Sequence, residues 1–295
     1  MIIKEEYISD SEIRVVGNNT PKPPTRKPWK WMAGILALIA LILIGWGIYA
    51  IHSAQNANEE IGVFESSTIQ QIAPQQPLKE WFQELDTITT CGTEIKDLTI
   101  NDIPLRVYVP LNTTPHLEVG YGVTKKREQL VLFFQAADVR ADNGKIVGVF
   151  VQKGKQKSKS MSKKGYCAII NDTVTIGVAE NSPLFEQAIE QDGDFFRQYP
   201  LVDNGQLVEN ELRNKAIRRA LCQIDNHVAV VETQTMESLH DFAQALVDIG
   251  THNAIYLVGG TAIGWSRDTY GNEIKMGLWD AKIYKNVSFI VWPLQ

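Results

Sequence analysis

Cysteine is scarce in this sequence, with only Cys91, Cys167 and Cys222 among 295 residues. No two of them have C-x-x-C spacing, which argues against zinc-ribbon and thioredoxin-type sites. We therefore expect no metal site, and no motif predicts a cofactor. Cys167 and Cys222 both fall in predicted strands. In an oxidising compartment they are candidates for a disulfide, and the alternative is that both are buried and reduced.

An excess of basic residues is also missing, because the formal net charge is -5. A nucleic-acid-binding domain normally carries a basic surface, so we expect no nucleic-acid partner. One basic run is present, and it contains no aromatic residue on which bases would stack. It is predicted to be a solvated hairpin tip or, alternatively, a contact for anionic glycan or lipid phosphate. The run consists of Lys153, Lys155, Lys157, Lys159, Lys163 and Lys164.

One long apolar run is present, at residues 32–51, and it contains neither charge nor proline. About 20 residues at roughly 1.5 Å each match the ~30 Å hydrocarbon core of a bilayer. The run therefore predicts a transmembrane helix in contact with lipid. Basic residues precede it and acidic residues follow it, so the positive-inside rule predicts a cytoplasmic N-terminus and an extracytoplasmic, periplasmic C-terminal domain. These residues are Lys22, Arg26, Lys27 and Lys30 before the run, and Glu59, Glu60 and Glu65 after it.

The organisation predicted from these patterns is a single-pass membrane protein with one globular domain. Residues 1–31 form a cytoplasmic tail, 32–51 the membrane helix and 52–77 a linker rich in Gln, Ala, Ser and Asn. Residues 78–295 form the globular domain. Its patterns indicate an α+β fold, with helices packed on a mixed or antiparallel sheet.

Alternating or continuous apolar runs predict the strands of this domain. They cover 105–109, 130–135, 145–152, 166–170, 173–178, 217–223, 227–232, 254–258 and 288–292. Predicted helices cover 78–85, 183–190 and 236–249. The last of these has Thr235 as its expected N-cap and ends at Gly250.

Four sequence blocks between residues 105 and 295 resemble the phosphodiester glycosidase family, the group that includes uncovering-enzyme-like domains. The blocks are LVLFFQAADVRADNGKIVGVFVQKGK, FFRQYPLVDNGQL, RNKAIRRALCQIDNHVAVVET and SLHDFAQALVDIGTHNAIYLVGG. The resemblance rests on their order and spacing. It implies hydrolysis of a sugar-1-phosphodiester, which needs a proton-transferring carboxyl and groups that stabilise the phosphate charge.

The sequence departs from the family pattern at the positions where the chemistry is expected. The family aspartate that precedes the Gly-Gly pair is Val258, and the serines that follow are Ala262 and Ile263. Valine cannot transfer a proton. Asp138 and Asp142, in the early block, are the predicted substitutes, although both also fit a solvated hairpin end.

The remaining candidates are residues that match the family positions. Arg218 matches the family arginine and is predicted to bind the phosphate through its planar guanidinium, although a surface arginine fits the pattern equally well. Glycines at the end of a buried strand allow a ligand to approach the backbone, although a tight turn explains them too. The predicted substrate-binding set is Asn204, Asn253, Gly259, Gly260 and Thr261.

Two functions are therefore open. The first is a membrane-anchored phosphodiester glycosidase-like protein that hydrolyses, or formerly hydrolysed, a sugar-1-phosphodiester, with its enzymatic activity undecided. The second is a non-catalytic component of the cell envelope that binds a glycan or a protein through the same fold. The expected ligand is a sugar phosphodiester or an envelope glycan, and the sequence does not identify a protein partner.

Overall fold

The computed structural model describes residues 78–160, 163–210, 214–280 and 286–295. All of them belong to one unit of the chain, residues 71–295. The strands in these ranges are β1 (Gly92–Ile100), β2 (Ile103–Leu111), β3 (His116–Val119), β4 (Leu130–Gln135), β5 (Val149–Gln152), β6 (Lys155–Lys159), β7 (Gly165–Ile170), β8 (Thr173–Val178), β9 (Asp194–Gln198), β10 (Pro200–Asp203), β11 (Gln206–Leu207), β12 (Arg219–Ile224), β13 (His227–Thr233), β14 (Thr251–Leu257), β15 (Gly264–Arg267), β16 (Glu273–Met276) and β17 (Ser288–Pro293).

The strands form three sheets in which neighbours pair antiparallel. The largest has the order β1-β2-β13-β12-β14-β10-β11, and two five-stranded sheets have the orders β16-β15-β4-β17-β3 and β6-β5-β9-β7-β8. The helices in the described residues are α1 (Lys79–Leu85), α2 (Gly122–Lys125), α3 (Leu184–Glu190) and α4 (Leu239–Asp248), with a 3-10 turn at Arg127–Gln129.

Tight turns between neighbouring strands set much of this topology. Asn101 and Asp102 join β1 to β2, and Asn171 and Asp172 join β7 to β8, all four with positive φ. Asn and Asp tolerate the left-handed region that such two-residue hairpins require. The predicted strands 130–135 and 173–178 are observed with those bounds, as β4 and β8.

The seven-stranded sheet is buried on both faces. On one face its apolar side chains pack with α1 and α4, through residues such as Val107, Phe82 and Phe242. On the other face they pack against both five-stranded sheets, through residues such as Leu221 and Phe134. This double burial explains why nearly every residue of β12 is buried, since a strand covered on both sides has no solvent face.

The predicted α+β fold class is wrong. The described residues form three antiparallel sheets, and their longest helix, α4, has 10 residues. The expected helix over 236–249 begins only at Leu239, because the Ser238 hydroxyl accepts a hydrogen bond from the Asp241 amide and caps it there. Prediction also missed strands, among them β1 and β9, whose charged residues obscure the strand pattern.

The predicted membrane localisation also needs correction. Within the described residues, no helix is long and apolar enough to cross a membrane. Ten residues of α4 span roughly 15 Å, about half of a hydrocarbon core. The predicted span at 32–51 lies outside the described residues, as do the predicted tail and linker. The described structure therefore does not support a single-pass, periplasmic arrangement.

Of the two alternatives for Cys167 and Cys222, the disulfide is not formed, and both residues are buried and free. All three cysteines are free. Cys167 lies in β7 and Cys222 in β12, which belong to different sheets, and their side chains enter different apolar clusters. Burial raises the pKa of both thiols, which makes them poor nucleophiles.

A buried carboxylate, Asp194 at the start of β9, joins the two five-stranded sheets. Its Oδ2 accepts a hydrogen bond from the Leu117 amide of β3 at 2.6 Å, and its Oδ1 accepts one from the Lys153 amide at 2.7 Å. Burial raises the pKa of this carboxyl. The carboxylate therefore satisfies two backbone donors that lie outside the strand ladders.

Replacing this carboxylate should weaken the fold. In Asp194→Ala both amides lose their acceptor, and the buried Leu117 amide, once unsatisfied, should cost about 1–3 kcal/mol. Urea denaturation should show a reduced free energy of unfolding, while the exposed substitution Glu190→Ala should change it by less than about 0.5 kcal/mol. Equal stability of the two variants would contradict this role of Asp194.

Candidate functional site

The ends of three strands, one from each sheet, meet at one place. β4 ends at Gln135, whose carbonyl accepts a hydrogen bond from the Val258 amide, just beyond β14, at 3.2 Å. The Tyr199 carbonyl, just beyond β9, accepts one from the Tyr256 amide at 2.9 Å. We call this region the strand-end junction. It contains Asp138, Lys163, Gln198, Tyr199, Tyr256, Gly259, Arg218 and Arg219.

The Gly259–Gly260 turn closes the junction against the chain that precedes β12. The Gly260 amide donates to the Ile217 carbonyl at 2.9 Å, and Gly260 has a φ of +61°. A Cβ added to Gly259 would lie 2.2 Å from the Ile217 oxygen. The Gly259 amide donates to the Tyr256 hydroxyl at 3.3 Å. Both amides are thus used inside the fold, and the glycines permit close packing of two backbone segments.

Arg218 is buried, and its guanidinium holds neighbouring backbone in place. Its Nε donates to the Glu237 carbonyl at 3.0 Å, and its Nη2 donates to the Asn214 carbonyl. Its own amide donates to the Thr233 hydroxyl at 2.9 Å. The side chain therefore links the segment before β12 to the segment after β13.

Arg219, the next residue, faces the opposite side of the sheet and forms a buried ion pair. Its Nε donates to Glu232 Oε2 on β13, and its Nη1 donates to the Val258 and Ala262 carbonyls at 3.2 and 2.6 Å. The Arg219 and Glu232 side chains are 1% and 9% exposed. A buried charge needs a partner, and each of these two residues provides one for the other. The Arg219 guanidinium thereby links β12, β13 and the loop after β14.

Tyr108 lies near this ion pair in the core between the sheets. Its hydroxyl is buried and has no hydrogen-bond partner among the described residues. Burial raises the pKa of this hydroxyl, and the nearby charge of Glu232 raises it further. The group is therefore neutral at physiological pH.

At the edge of the junction, Asp138 pairs with the buried Lys163. Lys163 Nζ lies 3.1 Å from Asp138 Oδ2 and 2.6 Å from Gln198 Oε1, and it stands 4.5 Å from the centre of the Tyr199 ring. The Lys163 side chain is 4% exposed, whereas that of Asp138 is 40% exposed. Burial lowers the pKa of Lys163, an effect that Asp138 partly offsets.

Arg197 fixes the backbone that carries Lys163. Its Nη1 donates to the Lys163 and Ala179 carbonyls at 2.9 and 2.7 Å, and its Nη2 donates to the Glu180 carbonyl at 2.9 Å. The chain entering β7 is thereby tied to the chain leaving β8. This contact places the lysine side chain beside Gln198.

Asp142 lies away from these groups. It is exposed in the turn after β4 and makes two hydrogen bonds with the Arg140 guanidinium, both at 3.0 Å. These bonds lower the pKa of the Asp142 carboxyl. The strand that would have put Asp138 and Asp142 on one face does not continue, because β4 ends at Gln135.

Asn204 and Asn253 lie together, but at the other end of β14 from the glycine turn. The Asn204 amide donates to Asn253 Oδ1 at 3.0 Å. Four residue steps, about 13 Å in a strand, separate Asn253 from Leu257 at the end of β14. The predicted substrate-binding set therefore divides between two places, with Gly259, Gly260 and Thr261 on the junction side. The roles of these residues remain predictions.

Sequence reasoning missed Lys163, Gln198 and Tyr199 as members of the junction. Lys163 belongs to a run of lysines and serines that is typical of a solvated tip, and only the fold shows that it is buried. Gln198 and Tyr199 lie inside the block FFRQYPLVDNGQL that was noted for its family resemblance, directly before Pro200. That position was the one available signal.

Comparisons with known proteins agree with this architecture at the level of the fold. No protein-family model matches the chain, and no curated protein matches it in sequence. A zebrafish N-acetylglucosamine-1-phosphodiester alpha-N-acetylglucosaminidase catalytic domain, auto-inhibited by its pro-peptide, is similar in structure. The TM-score is 0.50 and the identity 13%, and the match covers 69% of this chain and 82% of that one.

A hypothetical protein from Synechocystis is also similar, with a TM-score of 0.49 and 12% identity. That match covers 69% of this chain and 62% of that one. The zebrafish comparison supports a remote structural relationship to a phosphodiester glycosidase domain. At 13% identity the likeness concerns the fold alone.

The two glycines of the turn should respond differently to substitution. Gly260→Ala places alanine in the left-handed region, which costs about 1–2 kcal/mol. Gly259→Ala forces a Cβ against the Ile217 oxygen, so the loss should be about 3 kcal/mol or more. Thermal and urea unfolding of the two variants would measure the difference, and a Gly259→Ala protein as stable as Gly260→Ala would contradict the close packing.

The buried lysine should give the fold a distinct pH dependence. Below its lowered pKa, Lys163 is charged in both the folded and the unfolded states. Between that pKa and the ordinary value of 10.5, the unfolded chain binds one proton more, so the stability rises with pH. Lys163→Met should lack this rise. The measurement is the free energy of unfolding of wild type minus that of Lys163→Met, followed across this pH window. We expect this difference to rise with pH, and a fall would contradict the prediction.

Proposed function

We propose that this chain is a non-catalytic glycan-binding domain on a phosphodiester glycosidase-like fold. The observation that carries the proposal is the commitment of both junction arginines to partners within the fold. Arg218 donates to two backbone carbonyls, and Arg219 pairs with Glu232 and two further carbonyls. Each guanidinium thus uses its Nε and one Nη within the fold, so neither can offer a phosphate the paired Nε and Nη donors of a free arginine.

Hydrolysis of a sugar-1-phosphodiester requires groups that this junction does not offer in a usable form. Most glycoside hydrolases use two carboxyl groups, one of which transfers a proton to the leaving oxygen. Val258 occupies the position of the family aspartate, and Glu232 is buried against Arg219. The amides of Gly259 and Gly260 are bonded within the fold and so do not form an oxyanion site.

Binding of a glycan needs less than catalysis does. Sugar hydroxyls require fixed acceptors and donors, and Asp138 is a partly exposed carboxylate at the junction. The zebrafish neighbour is named for an N-acetylglucosamine-1-phosphodiester. A related sugar is therefore the first ligand that we propose for this chain.

A second candidate function is hydrolysis with Asp138 as the substitute acid. The 40% exposure of Asp138 at the junction favours this candidate, because a catalytic carboxyl must reach the substrate. Against it, Asp138 Oδ2 already accepts hydrogen bonds from Lys163 and Gln198. That arrangement suits an acceptor better than a proton donor.

An activity assay separates the two candidates. We expect wild-type protein to release no N-acetylglucosamine from its methyl 1-phosphodiester above the rate of Asp138→Asn. Val258→Asp, which restores the family carboxyl, should gain no activity and should lose stability where the new charge lacks a partner. Binding of the same diester and of methyl α-N-acetylglucosaminide would be followed by calorimetry.

Two results would overturn the non-catalytic proposal. Turnover by wild type that disappears in Asp138→Asn would establish the hydrolase candidate instead. If the protein binds neither sugar probe, the proposal that it recognises a glycan is wrong.

A further inference from the structure

The Asp138 carboxylate is held in position by hydrogen bonds from the protein interior. Its Oδ2 accepts hydrogen bonds from Lys163 Nζ at 3.1 Å and from Gln198 Nε2 at 3.4 Å. Gln198 is itself held, because its Nε2 donates to the Ala136 carbonyl at 3.2 Å and its Oε1 accepts from the Tyr199 amide at 3.2 Å. These contacts fix the carboxylate without a ligand.

The positive charge of the cluster does not reach the surface. Lys163 Nζ is enclosed by Asp138, by Gln198 Oε1 at 2.6 Å and by the ring of Tyr199. Its side chain is 4% exposed, compared with 40% for Asp138. A ligand arriving from solvent therefore meets the carboxylate, while the ammonium lies behind it.

An ionised carboxylate has about four acceptor positions, and Asp138 uses two of them on Oδ2. Its Oδ1 accepts no hydrogen bond from the described residues. The open positions suit the donors of sugar hydroxyls. A phosphate has no donor to offer when it is fully ionised, and its charge would be repelled.

From this geometry we propose that Asp138, fixed by Lys163 and Gln198, binds hydroxyl groups of a neutral sugar and discriminates against a phosphorylated one. The inference rests on the proposed glycan-binding function and names its ligand class. Lys163 acts here as a positioning residue. Because the acceptor is already oriented, little side-chain entropy is lost on binding.

The test uses the full chain and two probes, methyl α-N-acetylglucosaminide and N-acetylglucosamine-1-phosphate, in titration calorimetry. Wild type should bind the neutral sugar more tightly than the phosphate. Asp138→Asn should weaken neutral-sugar binding by about 10- to 100-fold, the scale of a hydrogen bond to a charged acceptor.

Asp138→Asn leaves Lys163 buried without its counter-charge and so risks misfolding. The double variant D138N/K163M removes both charges and keeps the shape of the pair. It should be folded and should show the same loss of affinity. Lys164→Met is the matched control, because the adjacent lysine is exposed and pairs with Glu180 at 2.7 Å, and it should bind as wild type does.

Lys163→Met distinguishes positioning from general structural support. It removes the counter-charge of Asp138, so the affinity for the neutral sugar should fall. The affinity for N-acetylglucosamine-1-phosphate should fall by a larger factor. A purely structural defect would lower the affinity for both probes by the same factor.

The outcomes separate this inference from the proposed function. If wild type binds neither these two probes nor the methyl 1-phosphodiester, both fail. If wild type binds the neutral sugar and D138N/K163M binds it equally well, only the assignment to Asp138 fails. Tighter binding of the phosphate by wild type would also overturn the proposed selectivity.

Discussion

Charged side chains that are buried must find an opposite charge or hydrogen-bond partners, and this constraint shapes the strand-end junction. The Arg219–Glu232 pair lies almost completely out of solvent, where removing one partner of such a pair costs about 3–5 kcal/mol. Arg219 also bonds to the carbonyls of the loop after β14, so the same guanidinium stabilises the sheet and shapes the junction. Its Nε and Nη1 are therefore committed to the fold.

The architecture of the junction depends on main-chain contacts more than on the identity of residue 258. The Val258 amide bonds to the Gln135 carbonyl, and its own carbonyl accepts from Arg219. These contacts do not involve the side chain at position 258, so the way the strands meet does not reveal its chemistry. Fold similarity alone therefore does not establish activity.

Much of the strand structure follows from local sequence, whereas the site depends on contacts distant in the chain. β4 and β8 were predicted with their observed bounds, because each is a short run rich in apolar and β-branched residues. The fold class was not, since short helix signals carry no information about how many sheets form. Arg218 and Arg219 face opposite sides of the sheet, and the carbonyls that bind them come from residues up to 43 positions away. No local pattern reveals that both guanidinium groups already donate hydrogen bonds within the fold.

The lysine run shows most clearly how one sequence pattern divides into two physical roles. β6 is an edge strand, and Lys157 has no residue opposite it, because Phe150 pairs with Ser158 and Val151 with Gln156. Exposed lysines and a bulge on an edge strand are devices that prevent pairing with another sheet. Lys163 follows only a few residues later, yet it is buried beside Asp138 because Arg197 holds its backbone. The composition of the run does not distinguish these lysines. The register of β6 gives Lys157 a place on the protected edge, and the contact with Arg197 gives Lys163 a place in the junction.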